Sequence, residues 1–596
     1  MTTTDEIKRM VASMTIEEKI GQKIILDFMH WNGADMTAPS DDVKSLLVDN
    51  NIGGVILFSN NLKDTAQIKT LTSWFASIQT KPGTRLFLAT DEEGGDVFRL
   101  PRGDYPSYPG NMALGAAVYG GASPSLAYSQ GKQMAQDLKA LNINVAFAPV
   151  ADVNTNAHNP VINVRSFGAN WSNVQDLAEQ LAAGIRSEKV MTTYKHFPGH
   201  GGAWSDSHLT LPLITRDRSD AFTIDIAPYK AAIDKGMAPD IVLTAHIQYP
   251  SLDNTKVKAS KTGEMIIVPA TMSREIQTVI LRNQLGFKGV TVSDALSMGA
   301  ITNYFTEEDA IAKVFAAGVD ISLMPIGIYS KADMALLPKF IKTVVDKVKS
   351  GVLNAAEIDA SVERILRLKS AFGLASGSVS SGQAEAGGVK ADPFALEKEI
   401  ADKSVTLLRN NTGELPVRNT QKKFFIFTPW GEQGEGIAQA LTANGYKATS
   451  AKQGAISEDQ RNAYIDACDV FVMGTMSAGL DPNDPEIGPA RTLMLHAQND
   501  LKKTVVHVSL RAPYDVIWYD GVRNCVATYA RYGYENGRWR GPSMKTLGEV
   551  LIGKRNPVGK LPTPLYWSYD DNVNLGVVAR PYYMGYGLSY NTALET

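Results

Sequence analysis

The sequence predicts an α/β protein: a (β/α)8 TIM-like barrel over residues 1–375, then a smaller open α/β sandwich over residues 392–596. Three observations predict it. Eight short apolar runs alternate with helical stretches in the first part of the chain. A Ser/Gly/Ala-rich stretch, SGSVSSGQAEAGGVK, then opens the linker 376–391. Four further apolar runs follow it, again with helices between.

The eight runs are QKIILDF (22–28), GGVILF (53–58), RLFLAT (85–90), VAFAPV (145–150), VMTTY (190–194), DIVLTA (240–245), GVTVS (289–293) and VDISLM (319–324). Continuous apolar runs of this length belong to strands buried on both faces, as in a parallel sheet. Eight βα units within about 370 residues fit a closed barrel with insertions. Thr15-Ile-Glu-Glu18 reads as a capping box that starts a helix ahead of the first strand. The linker lacks large apolar groups, so it reads as a surface connection between two units. The later runs are KKFFIFTPW (422–430), DVFVMGTM (469–476), KTVVHVSL (503–510) and CVATYA (525–530).

Composition narrows the class. A chain of 596 residues exceeds a single core. Hydrophobic residues at 44% and charged residues at 20% fit a globular protein. The net charge of −3 argues against nucleic acid or an anionic membrane as partner. No apolar run is long enough for a membrane span. MTTTDEIKRM has no basic segment followed by an apolar one. A cytoplasmic location is expected as the sequence stands, and export if a signal peptide was trimmed. A monomer or homodimer is expected. Cys468 and Cys525 lie in strand-like runs and read as buried reduced thiols; they fit no zinc spacing, and no metal or cofactor is expected.

Barrel enzymes carry their chemistry where strands end and βα loops begin. Here the distinctive residues sort to those places. RLFLAT runs into Asp91-Glu-Glu-Gly-Gly95, VAFAPV into Asp152, and VMTTY into Lys195-His196-Phe-Pro-Gly-His200-Gly201. DIVLTA runs into His246 and GVTVS into Asp294. Three of the eight histidines, His196, His200 and His208, fall in KHFPGHGGAWSDSH. Its Pro and Gly residues predict a loop, so His196 and His200 are not a helical zinc pair. Asp206 and His208 are one residue apart and can meet in a turn. A carboxylate on an imidazole makes a proton carrier near neutral pH, or simply a loop-stabilising hydrogen bond. Asp294 ends an apolar strand, where it serves as a reactive carboxylate or as a helix N-cap. Asp91, Arg99, Arg165, Lys195 and His196 offer donors and acceptors to a polyhydroxylated ligand, or act as salt-bridge residues. FFIFTPWGEQGEG carries Gly431, Gly434 and Gly436 after a strand, but its spacing reverses the dinucleotide pattern and excludes a nucleotide site.

KHFPGHG followed by Asp-Ser-His resembles the β-N-acetylglucosaminidase group of glycoside hydrolase family 3. DEEGGDVFRL (91–100), NVRSFG (163–168), PATMS (269–273) and LGFKGVTVSDALSMGAI (285–301) resemble further segments of that group. SVTLLRN (404–410), GKRNPVGKLP (553–562) and YYMGYGLSY (582–590) look like the family's second domain. The resemblance implies a retaining, exo-acting enzyme that removes terminal N-acetylglucosamine, with a saccharide or muropeptide as partner. It implies Asp294 as nucleophile, His208 as acid/base and Asp206 as its partner. Asp91, Arg99, Arg165, Lys195 and His196 match sugar-binding positions, and Met298 matches a residue lining the pocket. Gly202-Ala203 and Asp96 depart from the group, where Asp-Thr and Arg are common.

Other readings stay open. A family 3 β-glucosidase would draw its acid/base from the second unit; Asp481, Asp484 and Glu486 of GLDPNDPEIG (479–488) are candidates. A phosphorylase is another, because neutral imidazole does not repel phosphate. A metal-dependent barrel hydrolase and a non-catalytic binding protein complete the list.

Overall fold

The computed structural model describes residues 3–375, 392–477, 481, 484–565 and 582–590. Residues 376–391, read above as the linker, lie outside the described residues.

Eight parallel strands form the first sheet: β1 (Ile24–Asp27), β2 (Gly54–Leu57), β3 (Phe87–Thr90), β4 (Val145–Ala146), β5 (Met191–Phe197), β6 (Ile241–Thr244), β7 (Val290–Ser293) and β8 (Ser322–Leu323). Sequential strands are neighbours from β1 to β7, and β8 pairs with β1. A parallel bridge between Val292 and Ile321, with Ser293 N–H donating to the Ile321 carbonyl at 2.9 Å, closes the barrel. The apolar runs are continuous because both faces of each strand are covered. Ile25, Phe87, Met191 and Leu243 fill the interior, whereas Ile24, Leu26, Leu88 and Val242 meet the surrounding helices. Thr15 caps the helix Ile16–Gln22: its side chain accepts from Glu18 N–H at 3.2 Å, and Glu18 accepts in return from Thr15 N–H at 2.9 Å.

One boundary differs from expectation. β5 continues through Lys195, His196 and Phe197 before the loop begins. Lys195 and His196 therefore stand on a strand buried along its whole length. The polar side chains are held there by carboxylates, which periodicity alone does not reveal.

The second unit is a six-stranded sheet in the order β9-β14-β13-β12-β10-β11. Its strands are β9 (Thr406–Asn410), β10 (Lys423–Thr428), β11 (Lys447–Lys452), β12 (Val470–Thr475), β13 (Thr504–Ser509) and β14 (Asn524–Ala527). All neighbours are parallel except β9, which runs antiparallel to β14. After β10 the helix Gly431–Thr442 lies close on its neighbours. A Cβ at Gly434 would come within 2.8 Å of Thr428 Oγ1, and one at Gly436 within 2.9 Å of Met544 Cβ. These glycines serve packing.

The two units share a core. The helix Asn111–Tyr119 of the barrel is apolar on all sides, which a surface helix could not sustain. Met112, Ala113 and Ala116 pack in one cluster with Leu408, Tyr514 and Leu561.

Candidate active site

Strand β3 delivers Asp91-Glu-Glu-Gly-Gly95 to the barrel's C-terminal rim. Gly94 and Gly95 adopt φ of +82° and +65°, and a Cβ at Gly95 would sit 2.6 Å from Gly110 Cα. Only glycine allows this turn, which folds the carboxylates back over the barrel. Lys195 Nζ lies 2.7 Å from Asp91 Oδ1 and 2.6 Å from Glu93 Oε1. Arg165 forms a two-pronged pair with Glu93, at 2.9 Å from Nε and 2.8 Å from Nη2. Arg99 approaches Asp91 at 3.6 Å. Burial alone would raise the Asp91 carboxyl, but Lys195 and Arg99 outweigh it and hold it far below the usual range. Burial likewise opposes ionisation of Glu93, yet Arg165 and Lys195 bring it down to about 2. Both carboxylates are ionised, hydrogen-bond acceptors at neutral pH.

The network continues inward. His196 Nδ1 donates to Asp152 Oδ2 at 2.7 Å, and Arg165 Nη2 reaches His196 Nε2 at 3.4 Å. Asp152 Oδ1 also accepts from the backbone N–H of His196 and of His200, at 3.1 and 2.7 Å. This fully buried carboxylate ties β4 to the loop after β5. His200 Nε2 contacts Ser207 Oγ at 3.1 Å, and burial pushes the His200 imidazole down to about 4, so it is neutral.

Around Ser207 the chain turns at Asp206-Ser-His208. Asp206 Oδ1 accepts from His208 N–H at 2.8 Å and from His208 Nδ1 at 2.7 Å. Nε2 is thereby the ring nitrogen that Asp206 does not engage. The hydrogen bond to Asp206 raises the His208 pKa above its ordinary value, against the opposing effect of desolvation. The turn rests on the segment after β7: Gly299 N–H donates to the His208 carbonyl at 3.0 Å, Ala300 N–H to the Ser207 carbonyl at 3.1 Å, and Asn303 Nδ2 to the Leu209 carbonyl at 3.0 Å. A Cβ at Gly299 would press within 2.7 Å of that His208 carbonyl.

Asp294 follows β7 at the same rim. Its N–H donates to the Thr244 carbonyl at 3.0 Å, and its Oδ1 accepts from Ala295 N–H at 2.8 Å. The N-cap reading does not hold, because the N-cap of the next helix, Gly299–Thr302, is Met298. Met298 is buried there, five residues after β7 ends. His246, at the end of β6, contacts Thr271 Oγ1 at 2.9 Å and the Ala295 carbonyl at 3.1 Å, which fixes the backbone beside Asp294.

The second unit grips the β3 loop. Asp96 Oδ2 pairs with Arg511 Nε at 2.6 Å and Oδ1 with Arg531 Nε at 2.9 Å. Arg102 stacks 3.6 Å from the Tyr532 ring centroid. Glu397 accepts from the backbone N–H of Ser107 and of Tyr108, each at 2.9 Å. The departure at Asp96 thus has a structural partner: it is the carboxylate that two arginines of the second unit bind. Asp481, Asp484 and Glu486 instead line a cavity of about 490 Å³ within the second unit, with Arg461, Asp515 and Trp518. Among the described residues, only those of the second unit line that cavity. Among the described residues no group of three or more His, Cys, Asp or Glu is placed to hold a metal ion.

Glu93 and Asp152 were not assigned a place in the site by spacing. Their signal was position alone: each follows a barrel strand in a run with no other reason for a buried carboxylate.

Residues 15–368 match the glycosyl hydrolase family 3 N-terminal domain, and residues 405–590 match the family's C-terminal domain. The chain belongs to glycosyl hydrolase family 3 and is a glycoside hydrolase. Beta-hexosaminidase A of Pseudoalteromonas piscicida is 34% identical over 585 residues, spanning 92% of this chain and 97% of that relative. A beta-N-acetylglucosaminidase/beta-glucosidase of Cellulomonas fimi is 28% identical over 447 residues, 73% of this chain and 72% of that one. The solved structure of a family 3 beta-N-acetylglucosaminidase from Paenibacillus sp. str. FPU-7 superposes with a TM-score of 0.78 at 28% identity, covering 93% of this chain and 99% of that one.

Proposed function

We propose that this enzyme is a retaining, exo-acting β-N-acetylglucosaminidase that removes terminal N-acetylglucosamine from saccharides, with cell-wall muropeptides as the natural class. The observation that carries the reading is the Asp206–His208 pair, 2.7 Å apart, on a turn seated against the segment that follows Asp294. The names of the relatives support the sugar.

In the first step an Asp294 carboxylate oxygen bonds to the anomeric carbon. The glycosidic C–O bond breaks, and the leaving oxygen takes the proton from His208 Nε2. In the second step neutral His208 takes a proton from water, the water oxygen bonds to the anomeric carbon, and the Asp294 ester bond breaks. Asp206 supports the imidazolium in the first step and keeps Nε2 facing the reaction in both. Asp91, Arg99 and Arg165 supply fixed acceptors and donors to the sugar hydroxyls, with the fully buried Glu93 holding Arg165 from behind, and these bonds strengthen as positive charge develops on the ring. Lys195 and His196 hold that set in place, and Met298 closes the pocket.

The test is a panel of N-acetylglucosaminides and glucosides, in water and in phosphate, with the anomer of the first-formed product read by NMR. The reading expects N-acetylglucosamine released first as the β-anomer, at rates well above those on glucosides and unchanged by phosphate. An α-anomer, a glucoside preference or a sugar phosphate product would overturn it.

A further inference from the structure

The loop that carries the acid/base pair also carries an exposed aromatic side chain that the reaction described above does not use. Trp204 stands two residues before Asp206 and is 48% exposed. It stacks on His158, with ring centroids 4.6 Å apart and planes within 20°. The two rings come from different loops, one after β4 and one after β5. Asn156 binds these loops together: its Nδ2 donates to the Ala203 carbonyl at 3.0 Å, and its Oδ1 accepts from His158 N–H at 3.0 Å. Asn159 Nδ2 adds a bond to the His200 carbonyl at 2.9 Å. Trp204 is therefore braced by His158 while about half of it remains exposed. Leu209 and Leu213 are also exposed, at 69% and 41%, so three exposed large apolar side chains bracket His208 within ten residues.

A large exposed apolar group is informative where several cluster, because leaving them in water forgoes burial. The chemistry fixes what lies next to them. Whatever departs from N-acetylglucosamine must take its proton at His208 Nε2, so the first ring of the leaving group lies beside this loop. The apolar C–H face of a pyranose ring is a fit partner for an indole face, and its hydroxyl edge would meet the water around His208. A backbone held on both sides keeps the platform in place before the ligand arrives.

We propose that Trp204, backed by His158, forms an aglycone subsite that stacks a sugar ring, so the enzyme prefers leaving groups that are themselves saccharides. The subsite rests on the β-N-acetylglucosaminidase reading. Gly202 and Ala203, where the group often has Asp-Thr, contribute to it. Ala203 is fully buried, and a Cβ at Gly202 would approach Arg216 Nη2 to 3.3 Å, so the backbone before Trp204 sits low against the barrel rim.

The experiment compares kcat/KM on N,N′-diacetylchitobiose and on methyl β-N-acetylglucosaminide. Both release an alcohol, so their ratio reports ring binding more than leaving-group chemistry. The subsite expects Trp204→Ala to lower the disaccharide-to-methyl ratio by about tenfold. Trp204→Phe, which keeps an aromatic face, recovers most of that ratio. Equal losses on both substrates, or an unchanged ratio, would overturn the subsite while leaving the glycosidase reading intact. A wild-type enzyme that cleaves neither substrate would overturn both.

Discussion

At the scale of single residues, the balance around His208 decides the pH response. Its proton is retained to higher pH because Asp206 accepts from Nδ1; the Asp294 carboxylate adds a smaller push in the same direction. On the proposed mechanism the acid form drives departure of the aglycone, so kcat/KM is expected to stay high up to the raised pKa and to fall above it. Asp206→Asn removes the charge and most of the support for imidazolium. The alkaline limb of the kcat/KM profile should then move to lower pH by roughly one unit, with kcat reduced about tenfold to a hundredfold. An unmoved limb would mean that another group supplies the proton. The neighbouring histidines take different parts. His200 is buried and neutral, His246 is lowered by burial, and His196 is fixed between Asp152 and Arg165. Among the four, His208 is the partly exposed one.

At the scale of elements, the loop after β3 is the part of the site most dependent on distant chain. It carries Asp91, Glu93 and Arg99, and it is fastened to the second unit through Asp96, Arg102, Ser107 and Tyr108. Asp96 is nearly buried, so losing both arginines would leave its charge uncompensated, a large penalty. Arg511→Met with Arg531→Met should therefore lower kcat/KM by about tenfold or more, and adding Asp96→Asn should restore part of it. Steady-state kinetics of the three proteins checks this; an unaffected double variant would show that the loop holds its shape unaided. The barrel strands themselves were legible in sequence, because strands buried on both faces leave continuous apolar runs. Two strands of the second unit did not stand out. β11 (KATSAK) is a half-exposed edge strand with little apolar signal, and β9 (TLLRN) carries Arg409 into a buried bonding site. The end of β5 was set three residues early, since Lys195 and His196 read as loop until their carboxylate partners are seen. Position and spacing mark Asp294 and the Asp206–His208 turn as candidates and the family resemblance implies their roles, whereas Glu93 and Asp152 required the three-dimensional network to show what they hold.

At the scale of the whole molecule, the barrel and the α/β sandwich are one working unit. The helix Asn111–Tyr119 lies in a core made by both, and the loop after β3 is braced by arginines from the second unit. The sequence leaves two sources of proton donor open, the barrel loop or the second unit. In this chain the carboxylates Asp481, Asp484 and Glu486 line a cavity of the second unit, while the imidazole of His208 rides on the barrel beside the segment that follows Asp294. That division is the basis for assigning both catalytic roles to the barrel. The most direct measurement is to trap the glycosyl-enzyme with 5-fluoro-N-acetylglucosaminyl fluoride and map the adduct by peptide mass spectrometry. The account predicts a single added sugar on the peptide that contains Asp294, absent in Asp294→Asn. An adduct on any other carboxylate, or steady turnover with no adduct, would contradict it.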